Sequence, residues 1–338
     1  MKKVSIVILN WNGSALMERF LPSVIAYSPE EIAEVVVADN GSTDDSLQML
    51  EAKFPFVRII ALKENYGFAE GYNRALQEIE TPYCVFLNSD VEVTPGWLQA
   101  PLALFDAEKD VAGIQPKIRA EREKDYFEYA GAAGGFLDKY GYPFCRGRIF
   151  QVIEKDNGQY DQPCNILWGS GAALFIRTDV YRKEGGLDAG FFAHQEEIDL
   201  CWRLRTRGYR LVCTPDSVVY HVGGATLDQE SPRKTFLNFR NNLLMLYKNL
   251  PENRLRSVMR IRFWLDYLAA LQFLLTGKFS NAKAVCRARK EFHKLQASYQ
   301  SLRQENLQKA VIAFPDEILP QSLLVAFHLK RKKKYSDL

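Results

Sequence analysis

Three acidic side chains crowd four consecutive positions in the segment HQEEIDL. Glu196, Glu197 and Asp199 fall in the first turn of a predicted helix. Repulsion between acids this close raises at least one pKa, and a carboxylate with a raised pKa suits a general base. The alternative is structural, because acids favour a helix N-terminus and Asp199 is spaced to pair with Arg203 one turn later.

Oxygen-bearing side chains also follow predicted strands. Asn88 and Asp90, in FLNSDVEV, can face one hard cation, since Mg²⁺ and Mn²⁺ prefer carboxylate, carbonyl and phosphate oxygens; the alternative is an ordinary turn. Asp39 ends the run EVVVA and suits a hydrogen-bond acceptor for a nucleotide base or ribose, or else a helix N-cap. His221 ends SVVYH and is a candidate metal ligand, although such a histidine is more often a core residue.

The elements that must position these side chains alternate through the first third of the chain. Predicted strands are Val4–Leu9, Glu34–Ala38, Val57–Leu62 and Tyr83–Leu87, and predicted helices are Ser14–Tyr27, Asp44–Lys53 and Gly67–Ile79. Strands separated by helices of this length predict a parallel sheet with right-handed crossovers. Ligands bind at the carboxyl ends of such strands, which directs attention to Asn10, Asp39 and Asn88–Asp90.

The rest of the chain divides into a mixed middle and a helical end. Strands such as Ala172–Ile176 and Arg210–Cys213 predict a mixed second half of the sheet, and the glycine-rich stretch Gly131–Gly147 predicts a mobile or inserted loop. From Pro232 the pattern is helical to near Gln308. We therefore expect an α/β catalytic domain over 1–230, with halves 1–110 and 111–230, and a helical extension over 231–338.

Charge is divided unevenly, although the net charge of the 338 residues is only +3. Residues 231–338 hold 21 Lys and Arg against 7 Asp and Glu, a net +14, whereas residues 1–230 carry −11. A basic arm on an acidic body suits an anionic membrane face, and a solvated helical face is the alternative. Nucleic acid is disfavoured, because no aromatic platform is interleaved with the basic tail.

Within the arm, the apolar run Phe263–Leu275 is shorter than the roughly 20 residues needed to span a bilayer. It predicts a buried helix or one lying in a membrane interface, flanked by Arg260, Arg262 and Lys278. The final basic run Lys330–Lys334 predicts a disordered tail. We expect a cytoplasmic protein, peripheral on the inner face of the membrane, because the short apolar run Val4–Leu9 is not a secretion signal.

Several enzyme classes are excluded by missing motifs. The first strand-to-helix turn reads NWNG, with no GxGxxG fingerprint, and the chain has no GxxxxGK[ST] loop and no GxSxG elbow. A dehydrogenase, a P-loop NTPase and an α/β-hydrolase are therefore rejected. A composition of 47% apolar and 25% charged residues also excludes a disordered or a multi-span membrane protein.

Seven ordered segments within about residues 1–250 resemble the family-two glycosyltransferases with the GT-A fold, in the bacterial rhamnosyltransferase-like branch. They read VSIVILNWNG, VVVADNGSTDDS, NYGFAEGYNRAL, FLNSDVEV, WGSGAALFIRTDVYRKEGGLDAGFF, QEEIDLCWRLRTRGYRLVCTPDSVVYH and NFRNNLLMLYKNLP. The resemblance implies a metal-dependent, inverting transfer of a sugar from a UDP- or dTDP-linked donor to a hydroxyl of a glycan or lipid-linked acceptor. Surface polysaccharide assembly is the implied setting.

By position, the resemblance also assigns site residues. It implies nucleotide-sugar contacts at Asn10, Asp39, Gly67, Asn73, Asn88 and Asp90, an acceptor-side wall at Trp168, Gly169, Ser170 and Gly171, a divalent cation on Asp90 and His221, and a base within Glu196–Glu197. Asn88 stands where the family's first DXD aspartate is expected, and Glu197 stands in place of an aspartate. Which glutamate is the base stays open.

Three alternatives remain at this stage. A nucleotidyltransferase that makes the sugar nucleotide is disfavoured, because the first strand lacks a glycine-rich basic loop for a triphosphate. A catalytically inactive glycan- or nucleotide-sugar-binding relative is disfavoured by the intact acids and His221. For the basic arm, packing on the body or forming a homodimer stands against membrane binding.

Overall fold

The computed structural model describes residues 2–223 and 231–338. The strands are β1 (Val4–Asn10), β2 (Ala33–Asp39), β3 (Arg58–Ala61), β4 (Tyr83–Leu87), β5 (Val91–Val93), β6 (Val111–Ala120), β7 (Gly135–Asp138), β8 (Pro143–Cys145), β9 (Arg148–Ile149), β10 (Val152–Ile153), β11 (Cys164–Asn165), β12 (Ala173–Arg177), β13 (Arg210–His221) and β14 (Ile318–Leu319). The helices are α1 (Ser14–Ala26), α2 (Ser46–Lys53), α3 (Gly67–Ala75), α4 (Gln99–Ala107), α5 (Thr178–Lys183), α6 (Glu196–Thr206), α7 (Pro232–Asn249), α8 (Glu252–Leu275), α9 (Phe279–Leu295) and α10 (Gln300–Lys309). Short helical turns cover Leu76–Glu78, Ala189–Phe191, Val325–Leu329 and Tyr335–Asp337.

The main sheet follows the order β11-β13-β6-β12-β4-β1-β2-β3, with β5 paired to β13. Strands β4, β1, β2 and β3 are parallel, as expected for strands separated by helices. Strand β12 runs antiparallel to both β4 and β6, so the second half of the sheet is mixed. The predicted fold class is therefore confirmed.

Both faces of this sheet are buried, which explains the continuous apolar runs of its strands. Along β1, Val7 packs in one hydrophobic cluster, whereas Ile6 and Ile8 pack in another on the opposite face. Polar side chains begin where the apolar runs end, at the carboxyl edge of the sheet. The core thus holds that edge, and the loops that follow it, in place.

The glycine-rich stretch 131–147 is not the predicted mobile loop. It contains β7 and β8, which join a second sheet of order β10-β9-β8-β7-β14. At Gly135 an added Cβ would lie 2.2 Å from the Trp168 ring, and at Gly141 (φ +80) it would lie 2.7 Å from Leu246. The glycines therefore permit close packing, which the sequence does not distinguish from mobility.

The C-terminal helices form as predicted and are fastened to the rest of the fold by buried charges. Asp266 on α8 accepts hydrogen bonds from Arg262 at 3.1 Å and from Arg289 on α9 at 2.6 Å. Arg262 also donates to the carbonyl oxygen of Tyr140 at 2.8 Å. Arg262, which was predicted to flank a run that is either buried or lies in a membrane interface, is therefore a buried ion-pair partner.

The basic tail is also ordered, contrary to the prediction. After Lys330–Lys334 the chain turns back, and the Tyr335 ring packs 5.3 Å from the ring of Phe136. The predicted domain boundary at residue 230 lies outside the described residues. Among residues 2–223 and 231–338, no helix combines the length and the apolar character needed to cross a bilayer.

Candidate active site

Asn10 and Asp39 lie side by side at the carboxyl edge of the sheet. The parallel register of β1 and β2 pairs them, and the Asn10 amide donates to Asp39 Oδ1 at 3.0 Å. The backbone N–H of Ser42 donates to the other Asp39 oxygen at 3.0 Å. Asn10 Oδ1 is buried without a protein partner. The structure thus brings together two predicted nucleotide contacts and leaves one acceptor oxygen unused.

A second cluster forms because β5 pairs with β13. The antiparallel register places Val91 opposite His221, so that Asp90, the residue before Val91, meets the imidazole. Asp90 Oδ1 lies 3.2 Å from His221 Nε2, and the Asn88 amide nitrogen lies 3.4 Å from the same atom. Residues 131 positions apart in sequence are therefore adjacent in the fold.

The position between Asp90 and Glu128 favours a positive charge. Glu128 Oε2 lies 3.4 Å from His221 Nδ1, on the far side of the imidazole. Burial opposes a charge on the ring, but the carboxylates of Glu128 and Asp90 outweigh it and raise the pKa of His221 to about 10. Glu128 was missed by the sequence analysis, since no strand pattern or motif marks it.

Asp90 and His221 fit a divalent cation in part. A cation there would be held by Asp90 Oδ1 and by His221 Nε2 once the imidazole has lost its proton; the two atoms lie 3.2 Å apart. In the part of the chain that the structure describes, no group of three or more His, Cys, Asp or Glu side chains could hold a metal ion. A cation there would take its remaining ligands from water or a bound diphosphate.

At the start of α6, Glu196 is buried, Glu197 is partly buried, and both carboxylates are incompletely paired. Glu196 Oε2 and Glu197 Oε2 each lack a hydrogen-bond partner. Burial raises the pKa of Glu197 to about 7, although backbone N–H groups at the helix start oppose the shift. Burial and the neighbouring Glu197 raise the pKa of Glu196 well above its usual value. An unpaired carboxylate that titrates near neutrality suits proton transfer.

Asp199, the third acid of this turn, has the structural role that the spacing predicted. Its carboxylate accepts from Arg203 at 3.0 Å and from Lys248 on α7 at 2.8 Å. Asn249 donates to the other oxygen at 2.8 Å. All of its partners are buried, so Asp199 joins the helix of the two glutamates to the C-terminal helices.

The segment before Glu196 has an unusual backbone that α7 holds in place. Phe192, His194 and Gln195 adopt φ values of 65°, 70° and 73°, a region that side-chain-bearing residues rarely occupy. The buried amide of Asn241 donates to the carbonyl oxygens of Phe191, Ala193 and His194 at 2.8–2.9 Å. Asn241 lies in NFRNNLL, a segment that the resemblance included without assigning it a role.

Gly67 lies beside the same segment, whereas Asn73 does not reach the site. An added Cβ at Gly67 (φ +79) would lie 2.6 Å from the Phe192 ring, and its carbonyl oxygen accepts from Asn40 at 3.0 Å. The Asn73 side chain donates to the Leu187 carbonyl at 2.8 Å and accepts from the Leu187 N–H at 3.0 Å. Both ends of its amide are occupied, so we omit Asn73 from the donor site proposed below.

The segment 168–172 connects the two halves of the site, although one of its residues points away. The carbonyl oxygen of Ala172 accepts from the Asn88 N–H at 3.0 Å, and a backbone group of Gly169 hydrogen-bonds the thiol of Cys201 on α6. Ser170 is buried, and its N–H donates to Gln115 at 2.9 Å.

The Trp168 indole is buried, with 4% of its surface exposed, and donates to the Phe136 carbonyl at 2.9 Å. The indole is therefore not available to an acceptor, and the role of Gly169–Gly171 as an acceptor-side wall stays a prediction. At Gly171 an added Cβ would lie 2.8 Å from the Phe68 ring, so this backbone also lies close to α3.

The comparison with protein families identifies the family of this chain. The sequence model of Glycosyl transferase family 2 matches residues 5–177, half of the chain. The chain belongs to this family. It is therefore a glycosyltransferase with the GT-A fold, and the nucleotidyltransferase alternative is disfavoured.

Individual relatives agree with this family and with its rhamnosyltransferase-like branch. The N-acetylglucosaminyl-diphospho-decaprenol L-rhamnosyltransferase of Mycobacterium tuberculosis is 26% identical over 234 residues, 64% of this chain and 75% of the relative. Residues 1–349 of TarS from S. aureus, solved with UDP-GlcNAc, superpose with a TM-score of 0.57 at 16% identity, covering 91% of this chain and 89% of that one. The mannosyltransferase PcManGT from Pyrobaculum calidifontis, solved with GDP-Man and Mn²⁺, gives a TM-score of 0.52 at 14% identity, covering 91% and 84%.

Proposed function

We propose that this glycosyltransferase moves a sugar from a nucleoside-diphosphate donor to a hydroxyl group of a lipid-linked or glycan acceptor, with inversion, in surface polysaccharide assembly. The observation that carries this proposal is the pair of buried carboxylate oxygens of Glu196 and Glu197 that have no hydrogen-bond partner. The similarity to the mycobacterial rhamnosyltransferase supports rhamnose as the sugar and a lipid-linked diphosphate as the acceptor.

In this proposal the donor binds along the carboxyl edge of the sheet. Asn10 and Asp39 hold the nucleoside by hydrogen bonds, with Gly67 closing the same pocket, because these residues adjoin and Asn10 Oδ1 lacks a protein partner. Asp90 and His221 are the residues that would hold Mg²⁺ or Mn²⁺. When bound, the cation supplies positive charge for the leaving diphosphate. Residues 1–110 then serve the nucleotide, and 111–230 serve the acceptor.

Glu197 acts as the base in the proposed reaction. An acceptor hydroxyl is a weak nucleophile, so its proton must leave as its oxygen attacks the anomeric carbon. Glu197 Oε2 accepts that proton, the new glycosidic bond forms, and the bond to the diphosphate breaks on the opposite face. A single displacement of this kind inverts the anomeric centre. Asn241 positions the backbone that leads to Glu197 by its three hydrogen bonds.

Titration calorimetry with a panel of UDP- and dTDP-linked sugars, with and without Mn²⁺, tests the donor site. We expect binding that depends on Mn²⁺ in the wild type and weakens at least a hundredfold in Asp90→Ala, because the variant loses the charged ligand at the cation position. Asp106→Ala, at an exposed carboxylate, is the matched control. Binding of no nucleotide sugar by a folded protein would instead indicate a catalytically inactive relative.

We further propose that α8 docks the enzyme on an anionic membrane surface. Apolar side chains on one face of this helix, together with the first residue of α9, are exposed; they define the α8 apolar face and comprise Phe263, Trp264, Tyr267, Leu268, Leu271, Leu274, Leu275 and Phe279. Trp264 is 70% exposed and Leu275 is 81% exposed. Exposed cations of the basic arm, such as Arg260, suit anionic lipid headgroups. An apolar face with basic neighbours is typical of interfacial helices.

Trp264→Gln combined with Leu268→Gln should weaken binding to phosphatidylglycerol vesicles at least tenfold. The double variant replaces two apolar side chains that would be buried in the lipid with polar ones. Vesicle flotation measures the loss, and the wild-type Trp fluorescence should shift to shorter wavelength on binding. Phe56→Gln, at a 69% exposed aromatic of the catalytic body, is the control. Unchanged vesicle binding, or a homodimer that dissociates in the double variant, would contradict membrane docking.

A further inference from the structure

A groove of about 710 Å³ opens between α7, α9 and the segment before α6. Four cationic and two aromatic side chains dominate its lining, and together they define the basic groove: Phe192, Arg233, Phe236, Arg240, Lys283 and Arg287. Among the residues that the structure describes, no carboxylate lines it. A concave surface with several cations and no acid concentrates positive potential and suits a multiply charged anion.

Within the described residues, the three arginines of the basic groove pack over aromatic rings and do not pair with acids. Arg287 and Arg240 lie over the Phe236 ring at 4.6 and 5.4 Å, and Arg233 lies over the Phe192 ring at 5.1 Å. None of these guanidinium groups, nor Lys283, forms an ion pair within 4 Å with a residue of the described ranges. Within the described ranges these cations therefore have no ion-pair partner, and no carboxylate lines the groove where an anion would enter.

The groove adjoins the proposed reaction centre through a shared wall. Phe192 lines the groove, and its carbonyl oxygen accepts from the Phe68 N–H at 2.7 Å at the start of α3. Arg240 donates to the carbonyl oxygens of Gly190 and Phe191 at 2.9 and 3.1 Å. The same segment continues into Glu196, so the groove and the two carboxylates adjoin one short stretch of chain.

The groove also borders the α8 apolar face. Ser280 lines the groove near the start of α9, and the residue before it, Phe279, is 66% exposed and belongs to the apolar face. A ligand that is anionic at one end of its head and apolar in its tail would match both surfaces at once. A nucleoside diphosphate has no such tail, and its proposed position at the Asp90–His221 cluster is built from different residues.

We propose that the basic groove binds the diphosphate of a lipid-linked acceptor while the acceptor sugar reaches Glu197. This inference rests on the proposed function, since it names the acceptor class of the same site. Guanidinium groups can bind phosphate oxygens in pairs, and Lys283 adds a point charge. The lipid chain then leaves along the α8 apolar face toward the membrane.

Titration calorimetry of the full chain with geranyl diphosphate, a short prenyl diphosphate, tests the proposal. Lys283→Gln combined with Arg287→Gln should raise the Kd at least tenfold, whereas Lys290→Gln combined with Lys294→Gln should leave it unchanged. Both pairs lie on α9, are exposed and remove two positive charges. Geranyl monophosphate should bind the wild type more weakly than the diphosphate does, because it brings less charge.

Three outcomes would overturn the proposal. The first is an unchanged Kd in a groove variant whose thermal melting matches the wild type. The second is competition between geranyl diphosphate and a nucleoside diphosphate, or loss of its binding in Asp90→Ala, which would place the prenyl ligand at the donor site. The third is a groove variant that loses binding to phosphatidylglycerol vesicles but keeps geranyl diphosphate, which would indicate a headgroup site.

The donor titration is independent of this experiment, so the two proposals can fail separately. Binding of geranyl diphosphate in the groove by a protein that binds no nucleotide sugar would support the groove and contradict the transferase. Donor binding with an unchanged prenyl Kd in the groove variant would support the transferase and contradict the groove.

Discussion

Glu197→Gln lowers kcat by about a thousandfold and leaves the donor Kd unchanged. A positioned general base contributes typically 10²- to 10⁴-fold, and glutamine keeps the shape of the side chain while it cannot take up the proton. Because the pKa of Glu197 is raised to about 7, the wild-type kcat should rise as pH increases through that value and the base loses its proton. The variant should lack this rise. Steady-state kinetics across pH, with donor calorimetry, measure both effects.

Glu196→Gln is the matched comparison for the neighbouring carboxyl. Burial, and next the neighbouring Glu197, raise the pKa of Glu196 well above its ordinary value. We expect kcat to stay within about tenfold of the wild type, because Glu197 still accepts the proton in this variant. The reverse pattern, a thousandfold loss at Glu196 with near-normal activity in Glu197→Gln, would assign the base to Glu196.

Asp199→Asn, in the same helix, should lower the free energy of unfolding and not remove a group that takes part in the reaction. The substitution removes the carboxylate that Arg203 and Lys248 share. Lys248 keeps its contact with Asp188 at 2.6 Å, whereas Arg203 loses its buried ion pair, and breaking a buried ion pair in this way costs about 3–5 kcal/mol. Urea denaturation at neutral pH measures the loss. The exposed pair of Asp106 and Lys3 provides the control, and Asp106→Asn should have little effect. Equal losses in the two variants would contradict the network.

The pH dependence of stability follows from the same network. Burial raises the pKa of Asp199, but Lys248 and Arg203 outweigh it and hold the pKa below its ordinary value. Asp199 therefore binds its proton less readily in the folded protein than in the unfolded chain. Its contribution is present above the unfolded pKa of about 3.9 and is lost as pH falls through the folded value. Asp199→Asn should remove this component of acid denaturation.

Much of the proposed donor site at the carboxyl edge of the sheet can be predicted from the sequence, because the position of its residues depends on nearby segments of the chain. Apolar runs of strand length, separated by helical segments, predict a parallel sheet, and polar residues directly after such runs must lie at one edge. Asn10, Asp39 and Asp90 lie there for that reason. The family resemblance rests on the same ordered segments, and the match over residues 5–177 confirms it.

Other predictions were wrong because the same residue type occurs in two different structural settings. The glycines of 131–147 permit close packing with Trp168 and Leu246 instead of mobility. From the sequence, Arg262 is predicted to flank the apolar run of α8. In the structure its side chain points into the fold and donates a hydrogen bond to Asp266. A single sequence does not show which side of a helix meets another element, because that depends on packing between distant segments.

The sequence by itself determined the class of fold, the order of the motifs and the candidate acids, since each depends on residues close together in the chain. Only the tertiary structure decided which acids remain unpaired. Lys248 and Asn249, about 50 residues away in sequence, donate hydrogen bonds to the Asp199 carboxylate. Glu196 and Glu197, in contrast, each keep an oxygen without a hydrogen-bond partner. Spacing cannot separate the three, because a buried carboxylate takes its role from the partners that folding brings to it.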